Sequence, residues 1–152
     1  MYIVENINEL NINNIYVTDS LENTVIDNGM FSKIMYSTPD YVMNGIYVLC
    51  SFSNTIVEKI APNKFKVSWN REKNKNLIDK LIRIERDILE KMGTLNTQYQ
   101  LAKILDFNNV RIFSEEAKLT SNSDFILRIS GVWENENNCG ITYKFLETDA
   151  SF

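Results

Sequence analysis

The sequence predicts a mainly β, α+β domain, built as a small β-barrel of antiparallel strands with one strong amphipathic helix against one end. Three stretches lead to that reading. "KFKVSW", residues 64–69, alternates polar and apolar side chains with the period of a half-buried strand. "FILRISGVWENENNCGITYKF", residues 125–145, reads as two strands joined by a polar, Asn-rich turn. Between them, "NKNLIDKLIRIERDILEKMG" carries the strongest helical spacing in the chain, which predicts a helix over about 76–92.

Taken in order, the first dozen residues alternate weakly and suit an edge strand or a loose arm. "NNIYVTDS" is a strand candidate bounded by Asn and Asp-Ser. "DNGMFSKIMYS" opens on the turn signal Asp27-Asn28-Gly29 and runs extended until Pro39 breaks it. "YVMNGIYVLCSF" resumes a strand, with Asn44-Gly45 as a tight turn or bulge and Ile46, Val48, Cys50 and Phe52 on one face. In "KFKVSW", Phe65, Val67 and Trp69 form the buried side and Lys64, Lys66 and Ser68 the wet one.

The helix shows Leu77, Leu81, Ile84, Ile88 and Met92 at helical spacing, widened by Ile78, Ile82 and Leu89. Asn74 or Asn76 can cap its start, and Gly93 suits the position just past its end. "TQYQLAKILDF" predicts a second, shorter helix and "NVRIF" a short strand. In the closing hairpin Phe125, Leu127, Ile129 and Trp133 share one parity, as do Ile141, Tyr143 and Phe145. That apolar face is expected to pack into the core, leaving Arg128 and Lys144 on the other. Residues 1–146 are expected to form a single globular domain, and residues 147–152 a short acidic tail ending in Phe152.

Composition excludes several chemistries. The 152-residue chain has no histidine, which removes the usual general base and the commonest metal ligand. Ser-His-Asp and Cys-His catalysis are therefore out, and Cys50 and Cys139 are too few for a zinc site of the usual kinds or a disulfide framework. Among five glycines there is no P-loop and no Gly-x-Gly-x-x-Gly. Paired carboxylates with a metal remain as an enzyme reading, but no compact motif supports it. A non-enzymatic protein without cofactor or metal is expected. No apolar run approaches the roughly 18–20 residues that cross a bilayer, and the start does not read as a signal peptide. An intracellular location with no membrane partner is expected.

Charge is uneven along the chain. The net charge is −4, yet residues 59–91 hold Lys59, Lys64, Lys66, Arg71, Lys73, Lys75, Lys80, Arg83, Arg86 and Lys91. A basic middle between acidic ends can make a positive surface on an acidic protein, or simply a solvated helix and loop. Asn, Ile, Lys and Tyr are abundant, as A/T-rich codon usage would produce.

Two segments, "DNGMFSKIMYSTPDYVMNGIYV" and "FILRISGVWENENNCGITYKF", resemble a family of small proteins encoded by nucleocytoplasmic large DNA viruses. That family is associated with the OB-fold single-stranded-DNA-binding proteins typified by those of short-tailed phages. The resemblance implies an OB-like barrel whose groove follows a DNA backbone with Lys and Arg while bases stack on aromatic rings. It also implies a place in DNA replication, recombination or repair, in host cytoplasm, viral factory or virion. The residues available here are Lys64, Lys66, Trp69, Arg71, Lys73, Arg128 and Lys144, with Tyr36 and Tyr47 as further stacking candidates. On a flat strand Trp69 points away from Lys64 and Lys66, so a stacking ring must lie at a strand end or on a neighbouring strand. The tail "LETDASF", with Glu147, Asp149 and the terminal Phe152, is the candidate contact for replication proteins. Single-stranded DNA is the expected partner, with RNA and a second copy of the chain as further candidates. The alternative is a viral structural or interaction module that uses the 125–145 hairpin as its surface.

Overall fold

The computed structural model describes residues 4–18, 21–23, 29–91, 96–114 and 124–148. Its centre is the hairpin read from the sequence, in which β11 (Phe125–Glu134) runs antiparallel to β12 (Asn138–Glu147). Asn135 makes the turn: its side-chain oxygen accepts the backbone N–H groups of Asn137 at 3.0 Å and Asn138 at 2.7 Å. An Asx turn of this kind supplies locally the hydrogen bonds that the ladder leaves open.

The other edge of β11 is shared by two strands. Residues 125–129 pair with β6 (Ile46–Cys50), and residues 131–134 pair with β4 (Gly29–Ser37). At the changeover the β11–β12 register slips between Ile129 and Gly131. Gly45 lies against the same point with φ of 96°, where a Cβ would stand 3.2 Å from the Ile129 carbonyl oxygen. That left-handed backbone favours glycine. It lets the chain pass from β5 (Val42–Asn44), which pairs with β4, into β6. Asn44-Gly45 is thus a joint between strands.

The slip overturns one expectation. Beyond it Val132, not Trp133, joins Phe125, Leu127 and Ile129 in the core. Trp133 lies on the outer face, half-buried, with its indole over Gly140. Short pairings extend this sheet: β2 (Ile15–Val17) and β3 (Leu21–Asn23) on β4, β1 (Glu5–Asn6) parallel to β6, and β9 (Asn96–Thr97) parallel to β12.

A second, three-stranded sheet holds β8 (Lys64–Ser68) between β7 (Ile56–Ala61) and β10 (Asn109–Phe113), both antiparallel to it. As its alternation requires, β8 buries Phe65 and Val67, and Trp69 follows them inward.

Two α-helices occur among the described residues, α1 (Lys75–Glu90) and α2 (Gln100–Asp106). The buried face of α1 is Ile78, Leu81, Ile84, Glu85, Ile88 and Leu89, whereas Leu77 and Ile82 lie at its margins. Each fully buried aliphatic side chain contributes about 1.5–3 kcal/mol, so packing rather than helix propensity holds α1 in place. Asn74 occupies the capping position without capping. Its buried side chain accepts the Ser53 N–H at 2.7 Å and donates to the carbonyls of Ser53 at 2.9 Å and Asn70 at 2.7 Å. Asp27, Asn28, Met92 and Gly93 lie outside the described residues.

The molecule is therefore mainly β with α+β character, but the expected OB-like barrel does not close among the described residues. β10 packs against β12 without a hydrogen-bonded ladder, so the two sheets remain open along that seam. α2 packs against both strands.

Candidate nucleic-acid interface

The seam between β10 and β12 is a groove of about 870 Å³. Lys64, Lys66, Arg111 and Lys144 are among its lining residues. Lys66 and Arg111 are directly opposed in the β8–β10 ladder, as are Lys64 and Phe113, and directly opposed residues share a face. Lys144 enters from the β12 wall, where Tyr143 and Phe145 also line the groove. Four basic residues from three strands thus line the groove, and none of its described lining residues is acidic.

The groove has exposed aromatic rims. Asn108 adopts φ of 58°, and its N–H bonds the Leu105 carbonyl at 3.1 Å, turning the chain sharply from α2 into β10. Asn is among the few residues that tolerate this region. The turn leaves Phe107 outside the core, 74% exposed, while Phe113 at the other end of β10 is 56% exposed. At that end the Ser114 hydroxyl donates to the Glu147 carboxylate at 2.5 Å, fastening the end of β10 to the end of β12.

Beneath the groove lies a buried acid. Glu85 of α1 accepts the backbone N–H groups of Leu101 at 2.8 Å and Ala102 at 3.0 Å, the first turn of α2. Burial pushes its carboxyl above the ordinary value, and those two hydrogen bonds pull partly the other way. Tyr143, between this site and the groove, is pushed up to about 12 by its own burial and by the Glu85 charge. Its phenol is therefore neutral at physiological pH. The Cys50 thiol, buried in the core, is pushed up to about 12, chiefly by desolvation.

The sequence-predicted residues separate into groups. Lys64, Lys66 and Lys144 meet in the groove. Arg128 is exposed on the outer face of β11, directly across from Lys144, with its guanidinium 5.6 Å from the centre of the Tyr47 ring. Arg71 pairs with Asp106 at 3.2 Å, and Lys73 is exposed in the turn before α1. Neither lines the groove.

Two expected stacking rings are core residues. Trp69 is 6% exposed and stacked on Phe52 with centroids 4.3 Å apart. Tyr36 is 2% exposed, and its hydroxyl accepts the Asn11 N–H at 3.1 Å. Neither offers a free face to a base. Glu147 is the last residue of β12, while Asp149 and Phe152 lie outside the described residues.

Nor does the basic segment 59–91 form one face. Lys80 bonds the Asn8 side chain, and Lys91 donates to the carbonyls of Ile12 at 2.9 Å and Ile15 at 3.1 Å, both tying down the N-terminal arm. Arg111, Phe107 and Phe113 were not singled out from the sequence. The parity of "NVRIF" puts Arg111 and Phe113 on one face, but only the long-range pairing of β10 with β8 brings that face to Lys64 and Lys66.

Among the described residues no three His, Cys, Asp or Glu side chains gather as a group that could hold a metal ion. No helix among them is long and apolar enough to cross a membrane. No family model matches the chain, and neither a curated protein nor a solved structure gives a significant match.

Proposed function

We propose that the protein is a non-catalytic binder of single-stranded nucleic acid, and that the groove between β10 and β12 is its binding site. The observation that carries the reading is that Lys64, Lys66, Arg111 and Lys144 line one cleft, with no acidic residue among its described lining. On a chain of net charge −4, such a cleft attracts a polyanion locally. Phe107 and Phe113 supply exposed π-faces at its two ends, and base stacking on such rings tolerates any sequence.

The mode is that of an OB-like groove, with backbone charge met by Lys and Arg and bases by aromatics, here at an open seam. Duplex DNA keeps its bases stacked inside and gains nothing from the two rings, which favours a single strand. In this reading the protein serves replication, recombination or repair, the role expected of the viral family that its segments resemble.

Fluorescence anisotropy of labelled oligo-dT at several salt concentrations tests the reading. With four phosphates contacted, log K should fall with log[salt] at a slope of about −2.8. Lys66→Gln and Arg111→Gln should each weaken binding and flatten that slope by about 0.7. Absence of binding at low salt, or binding indifferent to both substitutions, would overturn it.

A further inference from the structure

On the outer face of the large sheet, Tyr47, Arg128 and Lys144 stand in one row across three strands, each directly opposite the next. Arg128 and Lys144 are like charges facing each other across an antiparallel pair, an arrangement that costs stability when nothing neutralises it. Both are exposed, and neither forms an ion pair among the described residues. The neighbours that share this face along the ladder are Leu49, Ile126, Gly131, Thr142 and Leu146, with Lys33 opposite Gly131. None is a carboxylate. Tyr47 braces Arg128 from beneath, because a guanidinium over an aromatic face is held by the ring's negative π-surface.

Lys144 belongs to both places. It lines the groove with Lys66 and Arg111 and pairs in register with Arg128 outside it. A row of cations therefore crosses from the small sheet to the large one, passing over β12. No described residue supplies a counter-charge where Lys144 and Arg128 meet, and a bidentate guanidinium beside an ammonium suits a phosphate oxygen pair.

Resting on the groove reading, we propose that the bound strand continues out of the groove across β12 and β11, with one phosphate held between Lys144 and Arg128. Tyr47 is then a positioning residue that acts through Arg128. The footprint extends past the cleft by at least one nucleotide toward β6.

The test compares a thymidine tetranucleotide, whose three phosphodiesters match Lys64, Lys66 and Arg111 and stop short of the Lys144–Arg128 pair, with a dodecanucleotide that reaches the outer row. Arg128→Gln, an exposed substitution that relieves a like-charge pair, should not lower the melting temperature. It should weaken the dodecanucleotide roughly fivefold at low salt and reduce its salt slope by about 0.7, with tetranucleotide affinity unchanged. Lys66→Gln should weaken both lengths. If Arg128→Gln binds the dodecanucleotide with wild-type affinity and slope while Lys66→Gln weakens both, the strand stops at the groove. That outcome overturns the extension and leaves the groove standing. If wild-type protein binds neither length, the groove reading falls and the extension with it.

Discussion

The Glu85 carboxylate sits inside the apolar face of α1 and caps a different helix, holding the Leu101 N–H at 2.8 Å and the Ala102 N–H at 3.0 Å. The first N–H groups of a helix have no partner within it, and a negative charge there also meets the positive end of the helix dipole. Glu85→Ala would leave two N–H groups unpartnered, one of them in a fully buried position. The expected cost is about 2–4 kcal/mol, measured by urea denaturation. Because α2 carries Ile104 and packs against both β10 and β12, the groove should lose definition in the same variant.

The same carboxyl gives a pH dependence of known sign. Its native value is raised, so the native state holds the proton more tightly than the unfolded chain. Its contribution to stability is fully present below the ordinary value of 4.5 and is lost as pH rises through the raised native value. The stability of wild type relative to Glu85→Gln should therefore decline with pH across that window and level off above it. A difference that rises with pH would show that the two N–H bonds outweigh desolvation.

Trp69 should prove a stability residue without a binding role. Trp69→Ala removes a buried indole from its stack on Phe52 and should cost about 3–5 kcal/mol. Trp69→Phe keeps a ring on Phe52 and should cost less. At temperatures where both variants are folded, each should bind oligo-dT as wild type does.

Phe107 and Phe113 should behave in the opposite way. Both are largely exposed, so alanine at either position should shift stability by no more than about 0.5 kcal/mol. If bases stack on them, each substitution should weaken binding by about 1–3 kcal/mol, read by anisotropy.

Two glycines differ in what surrounds them. A Cβ at Gly131 would meet the Phe31 ring and stand 2.5 Å from the Ser32 carbonyl oxygen, so backbone must shift. At Gly140 it would meet the Trp133 indole at 2.6 Å, and a half-buried side chain can swing away. Gly131→Ala should cost about 1–3 kcal/mol. Gly140→Ala should cost less and red-shift the Trp133 emission.

What the sequence made legible was local. The alternation of β6 and β8 named their buried sides correctly, and the helical spacing found α1 to within a turn. The misses share a cause. Trp133 changed faces because the register slips between Ile129 and Gly131, and no residue type in "ISGVW" fixes where an extra residue goes. Glu85 reads as an ordinary polar position on a helix until α2 presents its N–H groups from sixteen residues on. Lys64 and Lys66 were found by alternation, but Arg111 joins them only through β10 pairing with β8 across some forty residues. Within the long basic run, Lys80 and Lys91 serve the N-terminal arm, not this cluster.

The seam itself has a consequence for how the molecule keeps to itself. β10 on the side away from β8, and β12 beyond its short contact with β9, have no strand partner among the described residues. Two unpaired strand edges facing each other are a template for zipping shut or for capturing a neighbour's strand. Arg111 on one wall and Lys144 on the other place like charges at this gap, as charged side chains on strand edges disfavour edge-to-edge pairing. The cations that would grip a phosphate thus also act as guards against aggregation. Replacing Lys66, Arg111 and Lys144 together by Gln should leave a chain that self-associates, visible as mass growth in light scattering, unless a polyanion already fills the gap.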